Sequence, residues 1–454
     1  VPEEEVAMRL FGCVRILVFV AVVLCLARPS RAEEEESQAQ GKGILPIPDY
    51  SGDLFKRSWL SGDWGGKRTD WAERGFQVDV DWVQTVQGVA GGGRNSETEY
   101  GGSLDYLLFF DFYRMGLVPG AMLKVRGESR YGKSVNPDSG SVLPVSMDMF
   151  MPLTAPLDEN IPITVTDLTY YQFLSEKFGI LLGKIDTLDS DPNEFASGRG
   201  NTQFQNFNLI FNSTLALLPY STLAAGAIGM PSKYVTITEV FFLTTDSSTT
   251  SGFSDFGHGW SSATEADFQY KLSDLPGGTN LGFVYSGDDE FFTFGKRFTF
   301  VPGEGLVPPT SKSTWSLYWS GWQYLHTEEE AKGPMNLLDG RPDLQGWGLF
   351  WRLGFADKDT NPVQWGLSVG LGGRGIIPKR DDDTFGVAYY YAGIVTTRIS
   401  GIVGIDDHFQ GFEFFYDLAV TPAAQLTFDV QLTDPAAPGI NTTVILGLRL
   451  YLRF

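Results

Sequence analysis

The chain has little cysteine and little histidine: Cys13 and Cys25 both lie within its first 32 residues, and His258, His326 and His408 are its three histidines. A large exported domain commonly uses disulfides, and beyond residue 32 this one has no thiol to form one. No histidine has a second His or a Cys at ligand spacing, so no metal is expected and each reads as a loop residue. No cofactor is implied either. Cations are also scarce, with 34 Lys and Arg against 55 Asp and Glu and a net charge of −21. That balance argues against a nucleic-acid partner or binding to an anionic membrane surface, and permits a cation-biased interior or acidic outer loops. Finally, no apolar run reaches the roughly 20 residues that a spanning helix needs.

The longest apolar run, Ile16 to Ala27, has twelve residues, follows Met8, Arg9 and Arg15, and precedes Ser30-Arg31-Ala32. A basic start, a short apolar centre and small residues at the end make a secretory signal peptide over residues 1–32, starting at Met8 and cleaved after Ala32. Leu24, where a lipoprotein signal requires a small residue, argues against lipidation of Cys25. Residues 33–74 read as a periplasmic N-terminal segment. It holds a polar leader and one short helix, capped by Thr69 or Asp70 and ended by Gly75.

What the chain has in abundance is period-two alternation. At the C-terminus Val444, Leu446, Leu448, Leu450, Leu452 and Phe454 form an apolar stripe, set against Thr443, Gly447, Arg449, Tyr451 and Arg453 with Ile445 as the exception. Such a stretch is a strand with one apolar and one wet face, of the roughly ten-residue length that crosses a bilayer in a barrel. The pattern recurs at Phe76-Val78-Val80-Trp82, Leu104 to Phe112, Trp347 to Phe355, Val363 to Leu371 and Leu426 to Leu432. The fold class expected over residues 75–454 is therefore all-β, a transmembrane antiparallel barrel. Sixteen to eighteen strands can be counted, with 204–212 and 291–300 doubtful. With both termini periplasmic, either the short turn at Asp357 to Pro362 or that at Thr421 falls on the extracellular side, and the sequence leaves this open.

Ser61-Gly62-Asp63-Trp64-Gly65-Gly66, a basic pair, a short helix and an acidic alternating strand together resemble the carbohydrate-selective porins of the OprB family. Leu182-Gly183-Lys184-Ile185-Asp186, the stretch Gly348 to Pro362 and the closing hairpin Phe412 to Phe454 extend the resemblance over most of the chain. It implies sixteen strands, residence in the outer membrane of a Gram-negative bacterium, and passive diffusion of small sugars by a monomer or trimer. It also implies contact with outer-membrane lipid and lipopolysaccharide, and recognition by the barrel assembly machinery through the strand ending in Phe454. The alternatives are a general porin with a mild cation preference and an outer-membrane hydrolase.

Two motifs compete with this reading. Gly127 to Ser134 matches the phosphate-binding loop pattern, which requires a following helix that Pro137 and Gly140 disfavour. Gly370 to Gly375 matches a dinucleotide glycine spacing but runs into Pro378 and three aspartates. Neither has its structural context, and no enzyme is expected.

The channel wall is read from charge. Lys124, Arg126, Glu128 and Arg130 alternate with Leu123, Val125 and Gly127, and a Lys or Arg facing lipid at the midplane would cost about 2–4 kcal/mol, so the charged face is the lumen. There Arg126 and Glu128 are expected to hydrogen-bond sugar hydroxyls, or else to pair across strands and brace the wall. Lys184, Asp186, Asp105 and Asp111 are further lumen candidates. The long segment Ser134 to Ile161 is expected to fold inward, with Met147, Met149, Phe150 and Met151 against the inner wall. The non-alternating stretch Thr187 to Asn212 is expected to be a second such loop.

Overall fold

The computed structural model describes residues 43–147, 162–189, 191–294, 296–303, 305–328, 344–395 and 406–454. The expected signal peptide lies outside the described residues, as do Met149, Phe150 and Met151.

The first half of the wall is built by β1 (Phe76–Gly91), β2 (Thr98–Asp111), β3 (Ala121–Gly132), β4 (Thr164–Ser175), β5 (Phe178–Asp186), β6 (Ser221–Ser232), β7 (Val235–Leu243), β8 (Trp260–Leu272) and β9 (Leu275–Phe292). The second half follows as β12 (Thr310–Thr327), β13 (Gly346–Ala356), β14 (Val363–Arg374), β15 (Thr384–Ile394), β16 (His408–Thr421), β17 (Ala424–Asp434) and β18 (Thr443–Arg453). Each strand pairs antiparallel with its neighbours in sequence order, and β18 pairs with β1 to close a barrel of sixteen strands. β10 (Thr299–Val301) and β11 (Gly305–Val307) form a separate small hairpin in the β9–β12 connection. Closure leaves no sheet edge, the condition for a strand-built structure to sit in hydrocarbon.

The period-two pattern sets the wall. On β18 Ile445 and Arg449 are fully buried while Leu446 and Leu448 are 50% and 42% exposed, and the register Trp82↔Leu452 and Val86↔Leu448 continues the apolar stripe onto β1. The doubtful strands resolve differently: 204–212 holds the one-turn helix Phe207–Ile210, and 291–300 spans the end of β9 and the start of β10.

The termini share one end. The tight turns 176–177, 233–234, 273–274 and 422–423 lie at that end, and the long connections 133–163, 187–220, 244–259 and 293–309 lie at the other. This ordering places Asp357–Pro362 at the long-loop end and the turn after Thr421 at the terminal end, which settles the bookkeeping the sequence left open.

The N-terminal segment is tied to that end by α1 (Lys67–Glu73). The helix starts earlier than expected and has no side-chain cap at Gly66; Asp63 instead accepts from the Thr69 N–H at 2.8 Å and from its hydroxyl at 2.9 Å. Gly75, at φ 94°, ends it as expected. Arg68, 1% exposed, donates to Asp79 at 2.6 Å, to the Val78 carbonyl at 2.6 Å and to the Phe454 carbonyl at 3.0 Å, under the ring of Tyr50. One side chain thus joins the start of β1 to the last residue.

A single helical turn, Asn136–Ser139, does follow the phosphate-loop-like stretch, because Pro137 falls in its first turn, where a missing N–H is harmless. Four residues make no anion cradle, and Glu128 and Arg130 of the motif are held inside β3.

Candidate functional site

Inside the barrel, the connection 187–220 crosses the lumen and is pinned to the far wall by three buried side chains. Arg352 of β13, 1% exposed, donates from Nε to Asp191 at 2.6 Å, and to the carbonyls of Ala196 and Leu209. Glu413 of β16, fully buried, accepts from the backbone N–H groups of Gln205 at 2.6 Å and Asn206 at 3.0 Å. Arg449 of β18 donates to the carbonyls of Gly200 and Gln203. Loop backbone that cannot pair with itself is satisfied by charged donors and acceptors from the wall, as buried polar groups require.

Aromatic packing accompanies these bonds. Phe204 sits edge-on to Phe415 at 4.8 Å and near Phe350 at 5.4 Å, all three buried. Phe195 lies where a Cβ on Gly348 or Gly372 would come within 2.7 Å of its side chain, so two glycines make room for one ring. The stretch that lacks alternation in sequence is therefore the interior of the barrel on this side.

The loop returns to β3 at Gly198-Arg199-Gly200, where all three residues have positive φ (75°, 57° and 83°). Left-handed backbone at the non-glycine Arg199 is a costly conformation that its contacts hold in place. Its guanidinium reaches Asp186 at 2.6 Å, Asp189 at 3.0 Å and Glu128 at 2.6 Å. Arg126 bonds Asp186 at 3.1 Å and Asp189 at 2.8 Å, and Lys124 bonds Asp189 at 2.6 Å and Asp167 at 3.0 Å. The Tyr220 hydroxyl donates to Glu128 at 2.8 Å and accepts from Arg199 at 2.6 Å and Arg130 at 3.1 Å. Burial would push the Asp189 carboxyl up, but Arg126, Lys124 and Arg199 around it hold it well below the usual carboxylate range.

Lys124, Arg126, Glu128, Arg130 and Asp186 are thus gathered into one network. Its parts differ in access. The Glu128 and Asp186 side chains are fully covered and Arg130 is 6% exposed, whereas Asp189 is 26% and Lys124 16% exposed. Asp105 lies beside it, opposite Glu128 in register and within 3.5 Å of the Asn201 amide.

Two expected lumen residues are placed elsewhere. Lys184 sits opposite Leu168 and Leu223, on the face that carries the exposed Leu182, and its ammonium reaches the carbonyls of Ser247 at 2.7 Å and Thr250 at 2.8 Å. Near the end of a short strand, a long side chain satisfies its charge on loop carbonyls instead of the channel. Asp111 ends β2 and accepts from the N–H groups of Ile44 at 2.6 Å, Leu45 at 3.0 Å and Arg114 at 3.0 Å, so it clamps the N-terminal segment. Of the segment 134–161, Met147 is 3% exposed and packs against the inner loop, its N–H bonded to the Gln205 carbonyl at 3.1 Å.

On the side that the loop leaves bare lies a cavity of about 970 Å³ between the loop and the walls of β6 to β9 and β12. Asp189, Arg199 and Asp191 of the loop and Asp267, Asn280 and Trp322 of the wall line it, Ser320 of β12 donates to Asp191 at 3.1 Å at its edge, and it extends to the turns 176–177 and 233–234 at the terminal end. Asp267 accepts from Asn280 at 2.7 Å. Asp189, Asp191, Arg199 and Asp267 were not singled out from sequence. Only the break in alternation after Thr187 signalled the first three, and Asp267 looks like any polar residue of an alternating strand.

A closed barrel of sixteen strands with an apolar outer belt, a charged inner wall and an inward-folded loop is a porin of the outer membrane of a Gram-negative bacterium. The profile of the carbohydrate-selective porin, OprB family, matches residues 96–454, and the chain belongs to that family. In fold it is similar to the high-pH structure of Pseudomonas putida OprB, with a TM-score of 0.74 at 18% identity over 89% of this chain and 100% of that one. It is also similar to the low-pH structure of the same protein, with a TM-score of 0.55 at 14% identity over 88% of this chain and 99% of that one. Among curated protein sequences no relative matches. The protein is therefore a channel for passive diffusion of carbohydrates across the outer membrane.

Proposed function

We propose that the sugar passes along one side of the barrel, between the inner loop and the wall of β6 to β9 and β12, and touches Asp189 and Arg199 on the loop and Asp267 and Asn280 on the wall. The observation that carries this is the 970 Å³ cavity, which these four residues line; on the opposite side, where the loop is anchored, the space between Glu194 and Gln203 of the loop and Arg374 and Thr384 of the wall is smaller, about 380 Å³. Carboxylates accept from sugar hydroxyls, and Arg and Asn donate to them. Within the β3 network Glu128, Asp186 and Arg130 are braces, because the ion pairs and Tyr220 already occupy them. Arg126 and Lys124 act on the sugar through the position of Asp189.

A mild cation preference is a second property of the same passage, supported by Asp189, Asp191 and Asp267 on its lining. Conductance of the reconstituted protein with and without sugar tests the reading. A sugar-selective passage gives concentration-dependent block of the ion current, and Asp267→Ala raises the half-blocking concentration. Unblocked current in the wild type would leave only the general cation-preferring pore.

Assembly rests on the last strand. The Phe454 N–H bonds the Val80 carbonyl at 2.8 Å and its carbonyl accepts from Arg68, so the terminal residue completes the seam. Recognition of that strand by the assembly machinery predicts that deleting Phe454 lowers the amount of heat-modifiable barrel in the outer membrane.

A further inference from the structure

The short helix α1 turns two faces in different directions. Arg68 and Ala72 are buried against the barrel end, whereas Lys67 and Trp71, four residues apart, and Arg74, which follows the helix, lie together on an adjacent exposed face. Trp71 is 40% exposed and Trp64, in the turn before the helix, 41%. Their rings meet edge to face at 5.6 Å, Trp71 lies 5.6 Å from Phe76, and Phe76 lies 5.1 Å from Phe110. Phe76 and Phe110 are direct partners in the β1–β2 register, and they stand on the outward stripes that run through Val78, Val80 and Trp82 on β1 and Leu108 and Tyr106 on β2. The exposed indoles are thus continuous with the membrane-facing belt and extend it past the ends of the strands. Beyond Gly75 the chain adjoins Arg114 and Met115 of the β2–β3 turn, in which Leu117 is 66% and Val118 40% exposed.

From this continuity we infer that α1 is an interfacial helix, seated with Trp64 and Trp71 among the phospholipid headgroups of the leaflet at the terminal end of the barrel. Indole rings favour that depth, where an apolar body and a polar N–H are both accommodated, and a basic residue one turn to either side of Trp71 faces the lipid phosphates. Lys67 supplies such a charge, and the Arg74 side chain, 76% exposed, supplies a second one that it shares with Asp70 at 2.8 Å. The buried Arg68 on the other face locks the helix to β1 and Phe454, so the barrel and the helix meet the bilayer as one rigid body. A helix free to leave the membrane would not need that lock.

The test uses the chain with Cys13→Ser and Cys25→Ser, refolded into phosphatidylethanolamine–phosphatidylglycerol vesicles. Single cysteines at Trp71, Trp64, Leu448 and Lys56 carry a nitroxide label. Leu448, on the outer face of β18, is the lipid reference, and Lys56, with its side chain 82% exposed, is the aqueous one. The ratio of oxygen to nickel-chelate accessibility should be several-fold higher at positions 71 and 64 than at 56, and approach that at 448. A ratio at both positions equal to that at 56 overturns the inference, and so does protection from both reagents, which would mean a protein contact. If Trp71→Cys gives no heat-modifiable barrel, Trp64→Cys decides alone. A porin with any solute preference would answer the same way, so failure here leaves the sugar passage untouched.

Discussion

The two sides of the lumen are built on different principles. Against β13 to β18 the inner loop packs like the core of a soluble protein, with Phe195, Phe204 and Leu209 buried and Arg352, Glu413 and Arg449 bonded to its backbone. Against β6 to β9 it leaves a cavity lined by Asp267 and Asn280, with Ser320 and Gly321 of β12 bonded to the loop along its edge. The same inward-facing positions that would line a wide pore are thus spent on one side to hold the loop, and on the other Asp267 and Asn280 bond each other and face the cavity. A narrow passage in a wide barrel follows from filling one side, not from shrinking the barrel.

The strongest way to break this division is Arg352→Ala. It takes the buried guanidinium from the Asp191 carboxylate, which keeps Ser320 as a partner, and leaves two buried loop carbonyls without that donor, a loss of up to about 3–5 kcal/mol, the cost of removing one partner of a fully buried pair. Single-channel conductance should rise, and liposome swelling should admit sugars that the wild type excludes. An unchanged size limit would mean that the loop is held without this anchor.

Acidification should act next, and at an unusually low pH. Asp189, whose carboxyl is held below its ordinary value of about 3.9, contributes its ion pairs fully above that value, and the contribution is lost as pH falls through its depressed folded value. The part of the loop attachment that Asp189 supplies, read as the difference in open-channel current between wild type and Asp189→Asn, should stay flat from pH 7 to about pH 4 and disappear only below that. Asp189→Asn should show the loosened current already at pH 7.

A smaller and more selective effect is expected from the free side. Asp267→Ala should raise the half-blocking sugar concentration by about tenfold, near the lower end of the roughly 1.5–3 kcal/mol for a hydrogen bond to a charged group, with folding intact. Glu128→Gln should instead lower the temperature at which the heat-modifiable band is lost and leave half-block nearly unchanged. If the two mutants exchanged phenotypes, bracing and binding would be assigned to the wrong sides. Smallest of all, Val125→Ala on the outer face of β3 should leave both readings at wild type.

The sequence by itself determined the barrel, its outer face and its charged inner face. Alternation is a local property of a pleated strand, so Leu446 and Leu448 point outward and Arg449 inward whatever lies across the lumen. It also marked 187–212 as irregular, and placed Lys124, Arg126, Glu128, Arg130 and Asp186 in what is one network. Only the tertiary structure decided which of those charges are accessible, because Glu128 is covered by Arg199 and Tyr220, 71 and 92 residues away along the chain. The same holds for Lys184 and Asp111, whose partners are loop backbone groups that carry no sign in the sequence. The location of the passage depends on the anchoring of the loop by Arg352, Glu413 and Arg449, between 143 and 249 residues from their carbonyl and N–H partners. A backbone bond to a distant arginine leaves no periodic trace in either segment, and for that reason the channel's course had to be seen in three dimensions.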